Sequence, residues 1–108
     1  MSLNELLQNI RETLETRYGG RLRDVVLYGS EARGVASPDS DIDVLCILEG
    51  PINVWKELEA IIDATYSLQL EYLDRMIHIM PCSNEDYEQG KTPFLRFARE
   101  EGITLCPR

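Results

Sequence analysis

Residues 27–45, "LYGSEARGVASPDSDIDVL", combine a Gly-Ser turn with two closely spaced aspartates. Folding alone requires neither feature, because a strand can end at any turn and aspartate is depleted in strands. The stretch is therefore interpreted as one that serves a ligand. The chemistry of its side chains indicates which kind of ligand that is.

The aspartates lie in "DIDVLCIL", residues 41–48, a run typical of a buried strand. Residues i and i+2 of a strand share a face, so Asp41 and Asp43 stand side by side, about 6.5–7 Å apart along the backbone, while Ile42 and Val44 face the core. Two such carboxylates repel each other unless a cation lies between them. Mg²⁺ prefers carboxylate and phosphate oxygens, and paired ions support in-line displacement at phosphorus. The pattern predicts a magnesium site on Asp41 and Asp43.

The Gly-Ser turn supplies the complementary half of such a site. A strand that ends at Gly29 and leads into a short helix leaves backbone N–H groups free for an anion. Gly29 lets a phosphate approach without a Cβ, Ser30 adds a hydroxyl, and Arg33 is placed to hold a phosphate oxygen. Either motif alone is common, but the stretch from Gly29 to Gly34 followed six residues later by the acid pair predicts a nucleoside triphosphate with its metals.

The rest of the chain alternates helical and strand patterns, which predicts an α/β sheet with helices packed against it. Whether the first two strands are parallel is left open, because about a dozen residues between them allow either arrangement. The predicted elements are a helix from Leu3 to Leu14 ended by Gly19-Gly20, a strand at Val25–Tyr28, the strand at 41–48, a helix from Val54 to about Leu70, a strand at 75–80 stopped by Pro81, a helix capped by Ser83, and a helix from Pro93 to Gly102.

Length, net charge and cysteine spacing exclude several classes of protein. The 108 residues predict one domain over residues 1–108, and a net charge of −8 argues against a direct nucleic-acid partner. Cys46, Cys82 and Cys106 are too widely spaced for a zinc site or a disulfide framework. No signal peptide or apolar run of membrane-spanning length is present, so we expect a cytoplasmic protein without a membrane partner.

The block "GSEARG" at residues 29–34, followed by Asp41-Ile42-Asp43, resembles the signature of the minimal nucleotidyltransferases in the DNA polymerase β-like nucleotidyltransferase superfamily. That signature is G-S-x-A-R-G followed by D-x-D. The length, the element order and the ending at residues 93–105 are also similar. The resemblance implies an α/β (α+β) nucleotidyltransferase fold, with a small mixed sheet of about three to four strands flanked by helices.

The resemblance also implies an activity. An acceptor hydroxyl would attack the α-phosphate of Mg-ATP and release pyrophosphate, with Gly29 and Ser30 holding the phosphates and Asp41 and Asp43 ligating two Mg²⁺ ions. Minimal members are typically encoded beside a HEPN-domain protein as a toxin–antitoxin pair. Some of them silence the HEPN ribonuclease toxin by attaching AMP to one of its tyrosines. The implied role is therefore an antitoxin with a HEPN-domain toxin as its partner.

One position departs from the family pattern. Active members usually carry a third aspartate on the later strand, as base and metal ligand, and His78 stands where we expect it. Either Asp74 or Glu71 substitutes if that strand begins earlier. A neutral imidazole can serve as a base near pH 7, or His78 is simply what remains after loss of the acid.

Two function classes therefore stay open, an enzyme that adenylylates a protein and a degenerate module that neutralises its partner by binding alone. Transfer to a small molecule would need an acceptor pocket, which we do not expect a chain of this length to build.

Overall fold

The computed structural model describes residues 1–106. Helices and strands alternate along most of the chain, as the sequence pattern predicts. The elements are α1 (Leu3–Tyr18), a 3₁₀ turn (Gly19–Arg21), β1 (Leu22–Tyr28), α2 (Gly29–Ala32), β2 (Ile42–Leu48), α3 (Val54–Glu71), β3 (Ile77–Ser83), α4 (Asn84–Gln89), α5 (Pro93–Glu101) and β4 (Ile103–Thr104).

The four strands form one mixed sheet in the order β3-β2-β1-β4. β1 runs antiparallel to both β2 and β4, whereas β2 and β3 are parallel. The prediction of a mixed α/β sheet flanked by helices is confirmed. The open question about the first two strands is answered as well, because the chain between them turns back through the short helix α2.

Helices pack against both faces of the sheet, which explains why the sequences of β1 and β2 are nearly continuous apolar runs. Alternate residues divide between the two faces, so that Val25 packs under α1 and α3 while Val26 packs against α5. The larger core lies between the sheet and α1 with α3, and includes Leu6, Ile10, Leu14, Leu27, Ile42, Val44, Cys46, Leu48, Ile61 and Ile79.

Side-chain caps begin the longer helices. Ser2 and Glu5 form a reciprocal capping box on α1, and Asn53 accepts the backbone N–H of Lys56 at the start of α3. The predicted Ser83 cap is also present, since its hydroxyl accepts the N–H of Asp86 at 3.2 Å. Among residues 1–106, no helix is long and apolar enough to cross a membrane.

The prediction that Pro81 stops the third strand is wrong, and β3 continues through it. β3 is an edge strand, and Ile42 N–H bonds to Met76 O on its inner side. Ile77 N–H instead points outward and donates to Oε1 of Gln69 at 2.8 Å. Pro81 lies an even number of residues beyond Ile77, so its nitrogen also faces outward, where no ladder bond is lost.

The short strand β4 was not predicted. Its two residues pair antiparallel with Leu27 and Val26 of β1, directly after α5 ends. A two-residue strand has too little alternation to stand out in a sequence. It pairs with part of the outer edge of β1, while β3 forms the opposite edge of the sheet.

Candidate active site

The acid pair lies at the beginning of the central strand β2. Asp41 directly precedes the strand and Asp43 is its second residue, with Ile42 fully buried between them. The carboxyl side chains remain open to solvent, with exposures of 46% for Asp41 and 29% for Asp43. The predicted alternation of core and site residues at this point is therefore present.

Gly29 brings the chain after β1 against the acid pair. Tyr28 is opposite Asp43 in the antiparallel register, so β1 ends where the acids begin. Gly29 has φ +75°, and a Cβ at this position would lie 2.7 Å from Oδ2 of Asp43. The backbone conformation therefore favours glycine, and a side chain at this position would displace the carboxylate of Asp43. The helix α2 begins here and carries Ser30, so the first N–H groups of α2 have no partner within the helix.

His78 completes the cluster from the neighbouring strand. It is opposite Asp43 in the parallel register of β2 and β3. Its Nδ1 lies 3.5 Å from Oδ2 of Asp41 and 3.9 Å from Oδ1 of Asp43. Asp74 and Glu71, the alternative acids, are exposed in the turn before β3 and at the end of α3. The group that the structure brings beside the acid pair is thus the imidazole.

The electrostatics of the cluster favour a bound cation. Partial burial raises the pKa of Asp43; His78 offsets part of that increase, the nearby charge of Asp41 adds to it, and Arg75 again opposes it. Burial, together with the charge of Asp43, also raises the pKa of Tyr28 to about 12, so its phenol stays neutral. A metal ion at the carboxylates would favour their charged forms.

Two of the predicted nucleotide contacts lie further from the cluster. The Arg33 guanidinium is 5.9 Å from the centroid of the Phe97 ring, and its Nε lies 4.0 Å from Oε2 of Glu101, both on α5. Gly34 has φ +71° and ends the turn after α2, where a Cβ would have no neighbour within 4 Å. The structure therefore joins Gly29 to the acids but directs Arg33 towards α5.

A buried ion pair that sequence reasoning missed positions this turn. Nη2 of Arg75 lies 2.8 Å from Oε2 of Glu31, and its Nε donates to the carbonyl of Ser40 at 2.6 Å. The Arg75 and Glu31 side chains are only 10% and 19% exposed. They tie α2 to the segment that leads into Asp41. No local spacing signals the pair, because its members are 44 residues apart.

A cavity of about 470 Å³ adjoins the acid pair on the β3 side. Apolar side chains of α3 and β3 form most of its wall, and Asp43, His78 and Tyr28 also line it. We did not expect a chain of this length to build a pocket for a small-molecule acceptor, and no local sequence pattern signals this cavity. The packing of α3 along the edge strand creates it, which only the tertiary structure reveals.

The chemistry of the possible ligand atoms indicates which metal ion the site would bind. Two carboxylates open to solvent fit a Mg²⁺ ion, which keeps several waters and takes few protein ligands. The third position offers an imidazole, which suits other metals better than magnesium. Within residues 1–106, no group of three or more His, Cys, Asp or Glu side chains has the arrangement of a metal site. Asp41 and Asp43 would hold the ion, with the remaining ligands coming from water and substrate.

Comparison with known proteins identifies the family. Residues 7–102 match the family model described as "Nucleotidyltransferase domain". The chain belongs to this family. This nucleotidyltransferase domain contains the whole of the acid pair, the Gly29 turn and His78, so all the elements of the site fall within the matched region.

Two further similarities agree with this assignment. A Methanocaldococcus jannaschii protein named "Putative protein adenylyltransferase" is 31% identical over 72 residues, which cover 67% of this chain and 66% of that protein. The match thus spans slightly less than two thirds of the relative's length. The crystal structure of a "putative nucleotidyltransferase" from Sulfolobus solfataricus superimposes with a TM-score of 0.61 at 18% identity, covering 96% of this chain and 79% of that one. At that identity, the second match supports the fold of the nucleotidyltransferase domain.

Proposed function

We propose that this nucleotidyltransferase domain transfers AMP from Mg-ATP to a tyrosine of a partner protein, and that the partner is a HEPN-domain ribonuclease toxin which the transfer neutralises. The observation that carries the proposal is the convergence of Gly29, Asp43 and His78, which come from three neighbouring strands or their ends. The name of the archaeal relative, a protein adenylyltransferase, supports a protein as acceptor.

Each residue of the candidate site has a separate role in the proposed reaction. The backbone after Gly29 and the hydroxyl of Ser30 bind and orient the phosphates, while Asp41 and Asp43 hold Mg²⁺. When bound, that ion would neutralise charge on the α-phosphate and on the departing pyrophosphate.

The transfer itself is a single displacement at phosphorus. The tyrosine oxygen forms a bond to the α-phosphorus as the bond from that phosphorus to the bridging oxygen breaks. Pyrophosphate leaves with that electron pair, and the phenolic proton passes to an imidazole nitrogen of His78. This assignment makes His78 the base that the third aspartate supplies in the family pattern.

The antitoxin role rests on the resemblance of residues 29–43 to the minimal nucleotidyltransferases. A net charge of −8 disfavours binding of a nucleic acid, which supports a protein as acceptor. Because ATP is the substrate, we place the reaction in the cytoplasm.

The test is the intact mass of the partner after co-expression. Wild-type protein is expected to add AMP to it, and the double variant Asp41→Ala/Asp43→Ala to add none. Asp39→Ala is the matched control, because Asp39 is an exposed acid in the same loop. Equal modification by the acid-pair variant and the wild type would contradict the proposal.

A second candidate function is neutralisation by binding alone. It is favoured by His78, since the described part of the chain brings no third carboxylate to the acid pair. In that case the partner would copurify with the wild type and with the Asp41→Ala/Asp43→Ala variant alike, and neither would modify it.

A further inference from the structure

The cavity beside the acid pair has no assigned role in the reaction proposed above. It is called the α3–β3 cavity, and it is lined by the apolar side chains of Ile62, Tyr66, Met76 and Met80 together with the polar groups of Asp43 and His78. These four apolar side chains are between 41% and 61% exposed. So much apolar surface gathered next to a reactive centre is typical of a ligand subsite.

The carboxyl group of Asp43 separates two sides of the active site. Its Oδ2 faces Gly29, where a Cβ would approach to 2.7 Å, and its Oδ1 faces His78 at 3.9 Å. The strand order β3-β2-β1 has the same consequence, since Gly29 follows β1 and His78 lies on β3. The phosphate-binding turn and the imidazole are therefore on opposite sides of one carboxylate.

Because displacement at phosphorus is in-line, this arrangement determines the side from which the acceptor oxygen approaches. The attacking oxygen and the leaving group occupy opposite positions about the phosphorus. Pyrophosphate departs on the side of Gly29 and Ser30, where the backbone N–H groups lie. The acceptor oxygen must then arrive from the β3 side, and this is the side on which the α3–β3 cavity lies.

The wall of the cavity determines which acceptor fits. An acceptor that buries an apolar body against Ile62 and Tyr66, and places one hydroxyl at Asp43 and His78, matches the distribution of polarity. A phenol has this form, with an apolar ring and a polar tip. Met76 and Met80 add flexible thioethers, which pack well against aromatic rings. An aliphatic hydroxyl would leave the apolar wall uncovered.

We propose that the α3–β3 cavity is the acceptor subsite and that it binds the side chain of a tyrosine presented by the partner protein. The direction of approach rests on the proposed function, because it assumes phosphates at Gly29. The occupancy of the cavity by a phenol does not need turnover and can be measured separately.

The experiment is an NMR titration of the ¹⁵N-labelled chain with N-acetyltyrosinamide, in the presence of Mg²⁺ and α,β-methylene-ATP, which cannot undergo transfer of AMP. N-acetylserinamide is the matched probe. We expect the tyrosine probe to shift the amide signals of Ile62, Tyr66, Met76 and His78, and the serine probe to leave them unchanged. Ile62→Gln is expected to weaken binding of the tyrosine probe about tenfold.

Leu70→Gln is the control, because Leu70 lies on the same helix and is as exposed as Ile62, at 54%, but does not line the cavity. It should change binding less than about twofold. Equal responses to the two probes, absence of binding, or shifts of the cavity signals by the nucleotide analogue alone would overturn the assignment. The last result would make the cavity a nucleobase site. Binding of the tyrosine probe without any AMP transfer to the partner would overturn the proposed function and leave the acceptor subsite standing.

Discussion

The candidate active site has two halves that differ in how closely they match the signature of the minimal nucleotidyltransferases that the sequence resembles. The nucleotide side, from Gly29 to Gly34, carries the full G-S-x-A-R-G motif and is tied down by the buried pair of Glu31 and Arg75. The acceptor side, formed by β3 and α3, has His78 in place of an acid and an open apolar cavity beside it. In the proposed reaction the first half would bind the triphosphate and the second half would receive the acceptor.

The largest effect is expected at His78, where the two halves meet. His78→Ala should lower AMP transfer about 100-fold, since a positioned general base contributes on that scale. His78→Asp should restore most of the activity by supplying the carboxylate of the family pattern. The rate of label transfer from ATP to the purified partner measures both. Unchanged transfer in His78→Ala would show that the imidazole takes no part in the chemistry.

Gly29 and Gly34 allow the nucleotide side to be tested with matched variants. Both have positive φ angles, so alanine should cost each about 1 kcal/mol of stability. Only at Gly29 would the new Cβ approach Asp43, at 2.7 Å from Oδ2. We therefore expect Gly29→Ala to lower AMP transfer at least about tenfold, because a displaced group in an active site has an effect of that order or larger. Gly34→Ala should keep the wild-type rate. Equal rates in the two variants would show that the close approach of Gly29 to Asp43 has no role in AMP transfer.

Gln69 supports the acceptor side of the site. Its amide nitrogen donates to the carbonyls of Tyr72 and Arg75, and its Oε1 accepts the N–H of Ile77, at 2.8–3.0 Å. Gln69→Ala removes all three bonds at the start of β3. We expect a loss of about 2–3 kcal/mol in the free energy of unfolding by urea. A loss below about 0.5 kcal/mol would mean that these bonds do not hold α3 to β3.

The corresponding support on the nucleotide side is Arg75. Arg75→Gln should cost about 1–3 kcal/mol in urea unfolding, because Glu31 would be left with a largely buried charge. Arg23→Gln is the control, since Arg23 and Glu49 are an ion pair at 2.7 Å with about half of each side chain exposed. That variant should change stability by less than about 1 kcal/mol. Equal losses in the two variants would contradict the structural role of the buried pair.

Much of the fold was accessible from the sequence because its elements are long and regular. The stripes of α1 and α3 and the apolar runs of β1 and β2 were located from periodicity alone. The antiparallel pairing of β1 with β2 was not, because a dozen residues allow either direction. The end of β3 was misjudged at Pro81, since the outward direction of its nitrogen depends on which edge of the sheet is free.

The candidate site could likewise be predicted only in part from the sequence. Gly29, Asp41 and Asp43 were found because they lie within fifteen residues of one another and carry a recognisable pattern. His78 was placed by the alternation of its strand, and its distance from the acids follows from the register with β2. The ion pair of Glu31 with Arg75 and the α3–β3 cavity join segments far apart in the chain. Such features depend on tertiary packing, which local patterns do not contain.

The most direct test of nucleotidyl transfer uses ATP labelled at two different positions. The copurified complex of this chain with its partner is incubated with Mg²⁺ and either α-labelled or γ-labelled ATP. Label from the α position is expected on the partner, with label from the γ position released as pyrophosphate. Incorporation of the γ label, or of neither label while the complex remains intact, would contradict the claim that Gly29, Asp41 and Asp43 form a working active site.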